Sequence, residues 1–405
     1  MRRVLVGVLA VLLGLPVSGW LVLRRQASAL GARLVEDAQA LEALRFSRAG
    51  TPGNELECLG HHADLAPDSS RAVPWTHPVV LGIREGSLPI DTLPAPMRAH
   101  LDAHTPWLGS LLSCAALDTV APTTGVGPIP DVSHPRRQRV PRLQESVMAL
   151  LPLRLRLLTA TGQPDLATAE CTAGLQLALD VYRLEGLEGL LGALATTRAL
   201  VPACGAAADA ASPEARRAHL AAIERLRAEL PPFSRVMQLE RVQSSLRLFG
   251  AWLPPDLDAR LPPGARAATA SARAVTTERG LASTTALRLY WRRFDAAMRR
   301  CADVADLEEP TRTTALVDAM KGFESPTLHR FFTSEPADLR YQLYAQEADQ
   351  VKVMLELLAA AARLRDAPDA AVPPGLTRAQ HDGLVTVTPV MAELSTLQLT
   401  VHLER

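Results

Sequence analysis

The sequence predicts a mainly α fold with an N-terminal transmembrane or stalk helix, a body of antiparallel helix hairpins and a small C-terminal β-hairpin. Three observations carry that expectation. Leu (66) and Ala (65) make up about a third of the 405 residues while aromatics are 4%, a composition of helices packed on helices. Apolar residues recur at three- and four-residue steps between proline and glycine stops over most of the chain. Close to the C-terminus that period falls to two.

The first element is the run Val4 to Leu23, 20 residues without a charge, bracketed by Arg2 and Arg3 before it and Arg24 and Arg25 after it. As a helix it is long enough to span a bilayer. The competing reading is a signal peptide whose apolar core ends at Pro16, with Val17-Ser18-Gly19 or Ala27-Ser28-Ala29 as cleavage sites, which would release a secreted helical protein. The anchor reading is preferred because the run exceeds the roughly 7–15 residues of a signal core and because Arg24-Arg25 stand where a cleavage region is uncharged. The bilayer is therefore the expected partner of residues 4–23. The expected location is the inner membrane, single-pass, with the body on the periplasmic side. Leu30, Leu34, Ala38, Leu41 and Leu44 continue the helical spacing, so residues 4–46 as one helix would reach roughly 65 Å as a stalk. The alternative is that residues 27–46 fold back on the body.

Four segments follow from the punctuation. Residues 1–49 are the anchor and stalk. Residues 50–141 hold 13 of the 31 prolines and six of the ten histidines and read as loop-rich, with one helix over Pro94–Leu117. Residues 142–370 are the helical body, with starts at about Arg142, Pro164, Gly186, Ser212-Pro213-Glu214, Phe233, Thr276, Pro310 and Pro336. Residues 371–405 contain the alternating runs Leu384–Thr388 and Leu397–Leu403, which predict the hairpin.

Five cysteines, at 58, 114, 171, 204 and 301, are too far apart for a zinc knuckle or a C-x-x-C pair. In antiparallel helices, facing positions have a constant sum, and the midpoint of Cys171 and Cys204 falls beside the Gly186–Gly189 turn. These two are disulfide candidates in a translocated body; paired buried thiols are the alternative. Cys58 and Cys114, both in the loop-rich segment, are a second candidate pair, which leaves Cys301 over.

Charge and motifs exclude more than they assign. With 43 basic and 43 acidic residues the chain lacks the basic excess of a nucleic-acid binder, and the 41 arginines against two lysines reflect a GC-rich codon bias. No nucleophile elbow and no phosphate-cradling glycine loop occurs. His100 and His104 lie four apart on one helical face, a spacing that chelates zinc, with His61, His62, Asp64 or His77 as further donors; the glutamate of His-Glu-x-x-His is missing. A metal-dependent envelope hydrolase using His100, His104 and His61 is therefore the rival to a chain without catalytic residues or cofactor. The acidic pairs Glu185/Glu188 and Glu308-Glu309 read as solvated.

The stretches Cys171–Leu175, Glu185–Leu190, Leu230-Pro231-Pro232, Leu239-Glu240-Arg241 and Val353–Ala359 resemble uncharacterised, amino-terminally anchored helical proteins of GC-rich bacteria. The resemblance covers about 90 residues and implies the anchored helical architecture, with no activity attached. Ala367–Gly375 lacks the Gly-Arg-Tyr-Pro step that follows the last helix in such proteins. The expectation is a structural or protein-interaction module of the cell envelope whose partner is an envelope protein or a second copy.

Overall fold

The spacing of apolar residues becomes helix over most of the chain in the computed structural model, which describes residues 28–74, 76–121, 139–250, 253–263, 281–321 and 341–402, with Val22, Arg25, Ala265, Arg266 and Thr269. The expected span 4–23 lies outside the described residues except for Val22, and so does the expected loop 122–141 except for residues 139–141. The helices are α1 (residues 28–42), α2 (Glu55–Asp64), α3 (Ser69–Ala72), α4 (Pro78–Glu85), α5 (Ala95–Ser113), α6 (Arg139–Ala160), α7 (Pro164–Leu184), α8 (Leu187–Ala210), α9 (Pro213–Ala228), α10 (Phe233–Phe249), α11 (Pro255–Asp258), α12 (Leu281–Val304), α13 (Thr311–Met320) and α14 (Tyr341–Asp366). The strands are β1 (Phe46–Ser47), β2 (Thr51–Asn54), β3 (Leu117–Val120), β4 (Leu376–His381), β5 (Leu384–Pro389) and β6 (Leu399–His402).

Contacts divide the chain into two compact units: described residues of 28–44 and 233–342 form one, and those of 45–127, 135–232 and 343–402 the other. This division cuts across the helical body expected over 142–370. In the first unit α1 is packed: Val35 and Ala38 are fully buried, and a Cβ on Gly31 would stand 2.9 Å from Leu253. Arg241 on α10 donates to Asp37 on α1 at 2.7 Å and to Asp295 on α12 at 2.8 Å. Residues 28–42 therefore do not stand free as a stalk; the half-buried Arg241–Asp37 ion pair and the apolar face hold them on the rest of the first unit. Arg300 donates to the Ala319 carbonyl at 2.9 Å and ties α12 to α13.

In the second unit α6, α7 and α8 pack on one another. Their leucines, among them Leu150, Leu151, Leu153, Leu175, Leu190 and Leu200, are fully buried, each worth about 1.5–3 kcal/mol against exposure. Gly174 lets the three helices close up: a Cβ there would meet Leu151 of α6 at 2.5 Å and Leu200 of α8 at 3.3 Å. α9 starts as the sequence predicts, with the Ser212 hydroxyl accepting from the Ala215 N–H at 3.3 Å and Pro213 in the first turn. α8 is the one described helix long and apolar enough to cross a membrane, and 67% of its apolar window is buried inside the protein, as a core helix would be.

The loop-rich reading of 50–141 is corrected at α2, at α4 and at a small sheet. Val79–Ile83 lies in α4, opened by His77, whose Nδ1 accepts from the Val79 N–H at 3.3 Å, and closed by Gly86 at φ 87°. β1, β3 and β2 form a small sheet in that order, β1 antiparallel and β2 parallel to β3. The C-terminal sheet has one strand more than expected: β5 pairs antiparallel with β6 and also with β4. Asp382 (φ 48°) and Gly383 (φ 78°) make the two-residue turn between β4 and β5, the left-handed pair that tight hairpins need. The sheet packs on α8, where Gly205 leaves room for Leu399.

Candidate functional site

Polar chemistry in the second unit gathers where the small sheet, α2, the end of α5 and α7 meet. Asn54 caps α2, its Oδ1 accepting from the Leu56 N–H and the Ala121 N–H, both at 3.2 Å, so one side chain fixes the start of α2 against the end of β3. That placement sends Glu55 and Leu56 inward and sets Cys58 and His62 one turn apart on the same face.

Cys58 lies at bonding distance from Cys114, in the 3-10 turn Cys114–Ala116 that follows α5, with Cα atoms 5.8 Å apart. Cys171 of α7 and Cys204 of α8 are likewise at bonding distance, their Cα atoms 5.6 Å apart. The structure thus brings together both candidate pairs and leaves Cys301 free and buried. Burial pushes the Cys301 thiol up to about 11, against the pull of Arg300, so it stays protonated and unreactive at neutral pH.

The sequence does not single out the charge cluster beside the first pair. Arg48 donates to Asp180 through Nη1, to Glu55 through Nη2 and to the Leu117 carbonyl through Nε at 3.0 Å. Arg183 binds the other oxygen of Asp180 and the Glu229 carboxylate, while Gln176 donates to Asp180 at 2.6 Å. Glu55 and Asp180 are both fully shielded from water. Burial, then the neighbouring Asp180 carboxylate, push the Glu55 carboxyl up to about 9, against the pull of Arg48, so Glu55 carries its proton at neutral pH. The cluster binds the strand segment at Arg48 to α2, α7 and the end of α9. Glu185, expected to be solvated, is 7% exposed. It sits at the close connection between α7 and α8.

His219 on α9 is a second buried titratable group. Its Nδ1 stands 2.7 Å from the Thr172 hydroxyl, and burial pushes the ring down to about 4. It is therefore a neutral core residue at physiological pH.

The histidines expected to hold a metal are spread out. His100 and His104 have ring centroids 4.4 Å apart, with His100 Nε2 3.1 Å from the Ser69 hydroxyl. His61 is exposed, and its ring centroid is 5.6 Å from that of His62. No third carboxylate, thiolate or imidazole closes on His100 and His104 among the described residues. The three donors that do come within 4.8 Å of one another are Cys58, His62 and Cys114. The i, i+4 spacing of Cys58 and His62 is legible in the sequence once residues 55–64 are read as a helix.

An apolar cavity of about 40 Å³ lies between Leu59, Leu111, Val147, Leu177, Val181 and Thr196. Small-molecule sites begin at about 300 Å³, so this is a packing gap. Comparison with family models, with curated proteins and with solved structures finds no match for the chain.

Proposed function

We propose that the chain is a single-pass, inner-membrane-anchored protein whose antiparallel helix-hairpin body lies outside the cytoplasm as a structural or protein-interaction module of the cell envelope. The observation that carries this reading is the pair of cysteine bridges, Cys58 with Cys114 and Cys171 with Cys204, both at bonding distance within a helical body. Bridges of that kind persist in oxidising compartments. The uncharged run Val4 to Leu23 supplies an anchor of the length that such a location needs. The resemblance of the stretches between Cys171 and Ala359 to anchored helical proteins of GC-rich bacteria supports the same architecture. The metal-hydrolase rival draws no support from His100, His104 and His61, which do not converge.

Protease added to intact spheroplasts tests the topology. The reading expects loss of the full-length chain without lysis, and protection until lysis contradicts it. In-cell crosslinking at exposed positions tests the interaction role: a discrete adduct, with a second copy or an envelope protein, is the expected result. A chain that stays uncrosslinked while a known envelope complex in the same cells is captured removes the role.

A further inference from the structure

We propose that Cys58, Cys114 and His62 form a zinc site that the disulfide closes and a thiol reductant opens. The two sulfurs and one ring nitrogen of His62 already lie within 4.8 Å of one another. Tetrahedral zinc, with Zn–S near 2.3 Å and Zn–N near 2.0–2.1 Å, sets its sulfurs about 3.8 Å apart and each sulfur about 3.6 Å from the nitrogen. Cα atoms 5.8 Å apart allow the sulfurs to separate by that amount through side-chain rotation, with the backbone left in place. His62 is 8% exposed, and its Nδ1 is buried without a hydrogen-bond partner. A buried imidazole in that condition costs stability unless something binds it. Trp107 donates to the His62 carbonyl at 3.4 Å and holds the last turn of α2 on α5, so two of the three donors share one braced helix face.

The opening step balances. A dithiol's thiolate attacks Cys58, the half-buried member of the pair, and expels the fully buried Cys114 as thiolate. The reductant's second thiol then attacks the mixed disulfide, releases Cys58 as thiolate and leaves as its own cyclic disulfide, having given two electrons. Zn²⁺ replaces any protons on the two sulfurs and takes His62 as third ligand, with water completing the shell as in sites that keep one position open. Cys171–Cys204 has no such third donor among the described residues, so the same reduction there makes no site.

This inference goes beyond the envelope reading and does not rest on it, because it is tested on purified full-length protein. The probe is Co²⁺, added after reduction with a phosphine, which does not compete for metal. The expected result is one Co²⁺ per chain with thiolate charge-transfer and tetrahedral d–d absorption. That signal should be displaced by Zn²⁺, absent before reduction and kept in the Cys171→Ala/Cys204→Ala variant. His62→Ala should weaken binding by at least about 100-fold, since loss of a mere supporting group costs 10–100-fold. Absence of the cobalt–thiolate spectrum in reduced, folded protein overturns the proposal, as does equal affinity in His62→Ala. If reduction melts the helices by circular dichroism, Zn²⁺ should restore them in the wild type and not in His62→Ala; failure to restore them also overturns it.

Discussion

Arg48 reaches across 132 residues of chain to pair with Asp180, and the carboxylate it meets has no exposed side-chain surface. The same guanidinium donates to Glu55, which burial keeps protonated at neutral pH, so a single side chain from the segment after β1 pairs with one buried carboxylate and satisfies a second buried carboxyl on another helix. Arg48→Ala leaves both without that cation. Breaking such a buried pair costs about 3–5 kcal/mol, which a urea titration of the variant should read as a lower midpoint with an unchanged slope. A loss under about 1 kcal/mol, the range of an exposed pair, contradicts the burial described.

Glu55 gives the protein an unusual alkaline dependence. Its carboxyl lies near 4.5 in the unfolded chain and is raised to about 9 in the fold, so the folded state binds the extra proton between those values. The resulting stability is complete below pH 4.5 and is lost as pH rises through about 9. Thermal midpoints should fall over that interval. Glu55→Gln, which keeps a neutral amide in the same place, should flatten the decline, whereas an unchanged slope in the variant assigns the dependence to other groups.

His219 acts at the acid end and with the opposite sign. Its ring falls from the ordinary 6.5 to about 4 on burial, so its contribution is complete above pH 6.5 and is lost as pH drops to about 4. Proton NMR of the imidazole should show a neutral ring at pH 5 in folded protein. A ring that titrates near 6.5 in the fold contradicts its placement against Thr172.

Cys301 should be inert. It is fully buried, with its thiol raised to about 11, so iodoacetamide should leave the native protein unlabelled and add one group per chain in denaturant with both bridges intact. Rapid native labelling contradicts the burial.

Helix starts were the most legible feature, because Ser212-Pro213-Glu214 and Pro164 carry their signals within one turn of chain. Both cysteine pairings are also legible, that of Cys171 with Cys204 from the constant sum across the Gly186–Gly189 turn. Elements that the sequence does not announce have physical reasons for it. α2 and α4 sit among prolines and histidines whose density suggested loop, although His77 and Asn54 serve as their caps. β4 does not stand out in the sequence although Asp382-Gly383 marks its hairpin, because Arg378, Gln380 and His381 make the strand polar. The Arg48–Glu55–Asp180–Arg183 cluster joins residues up to 135 positions apart in the chain, and no local pattern encodes a contact of that kind. His62 joined the cysteines only once α2 placed it one turn from Cys58.

The central claim, an oxidised body outside the cytoplasm, is tested most directly by the intact mass of the chain taken from its native membrane, before and after reduction, with free thiols blocked at lysis. The account predicts a mass that includes Val4 to Leu23 and rises by the four hydrogens of two bridges on reduction. A mass unchanged by reduction, with every cysteine blocked at lysis, contradicts it.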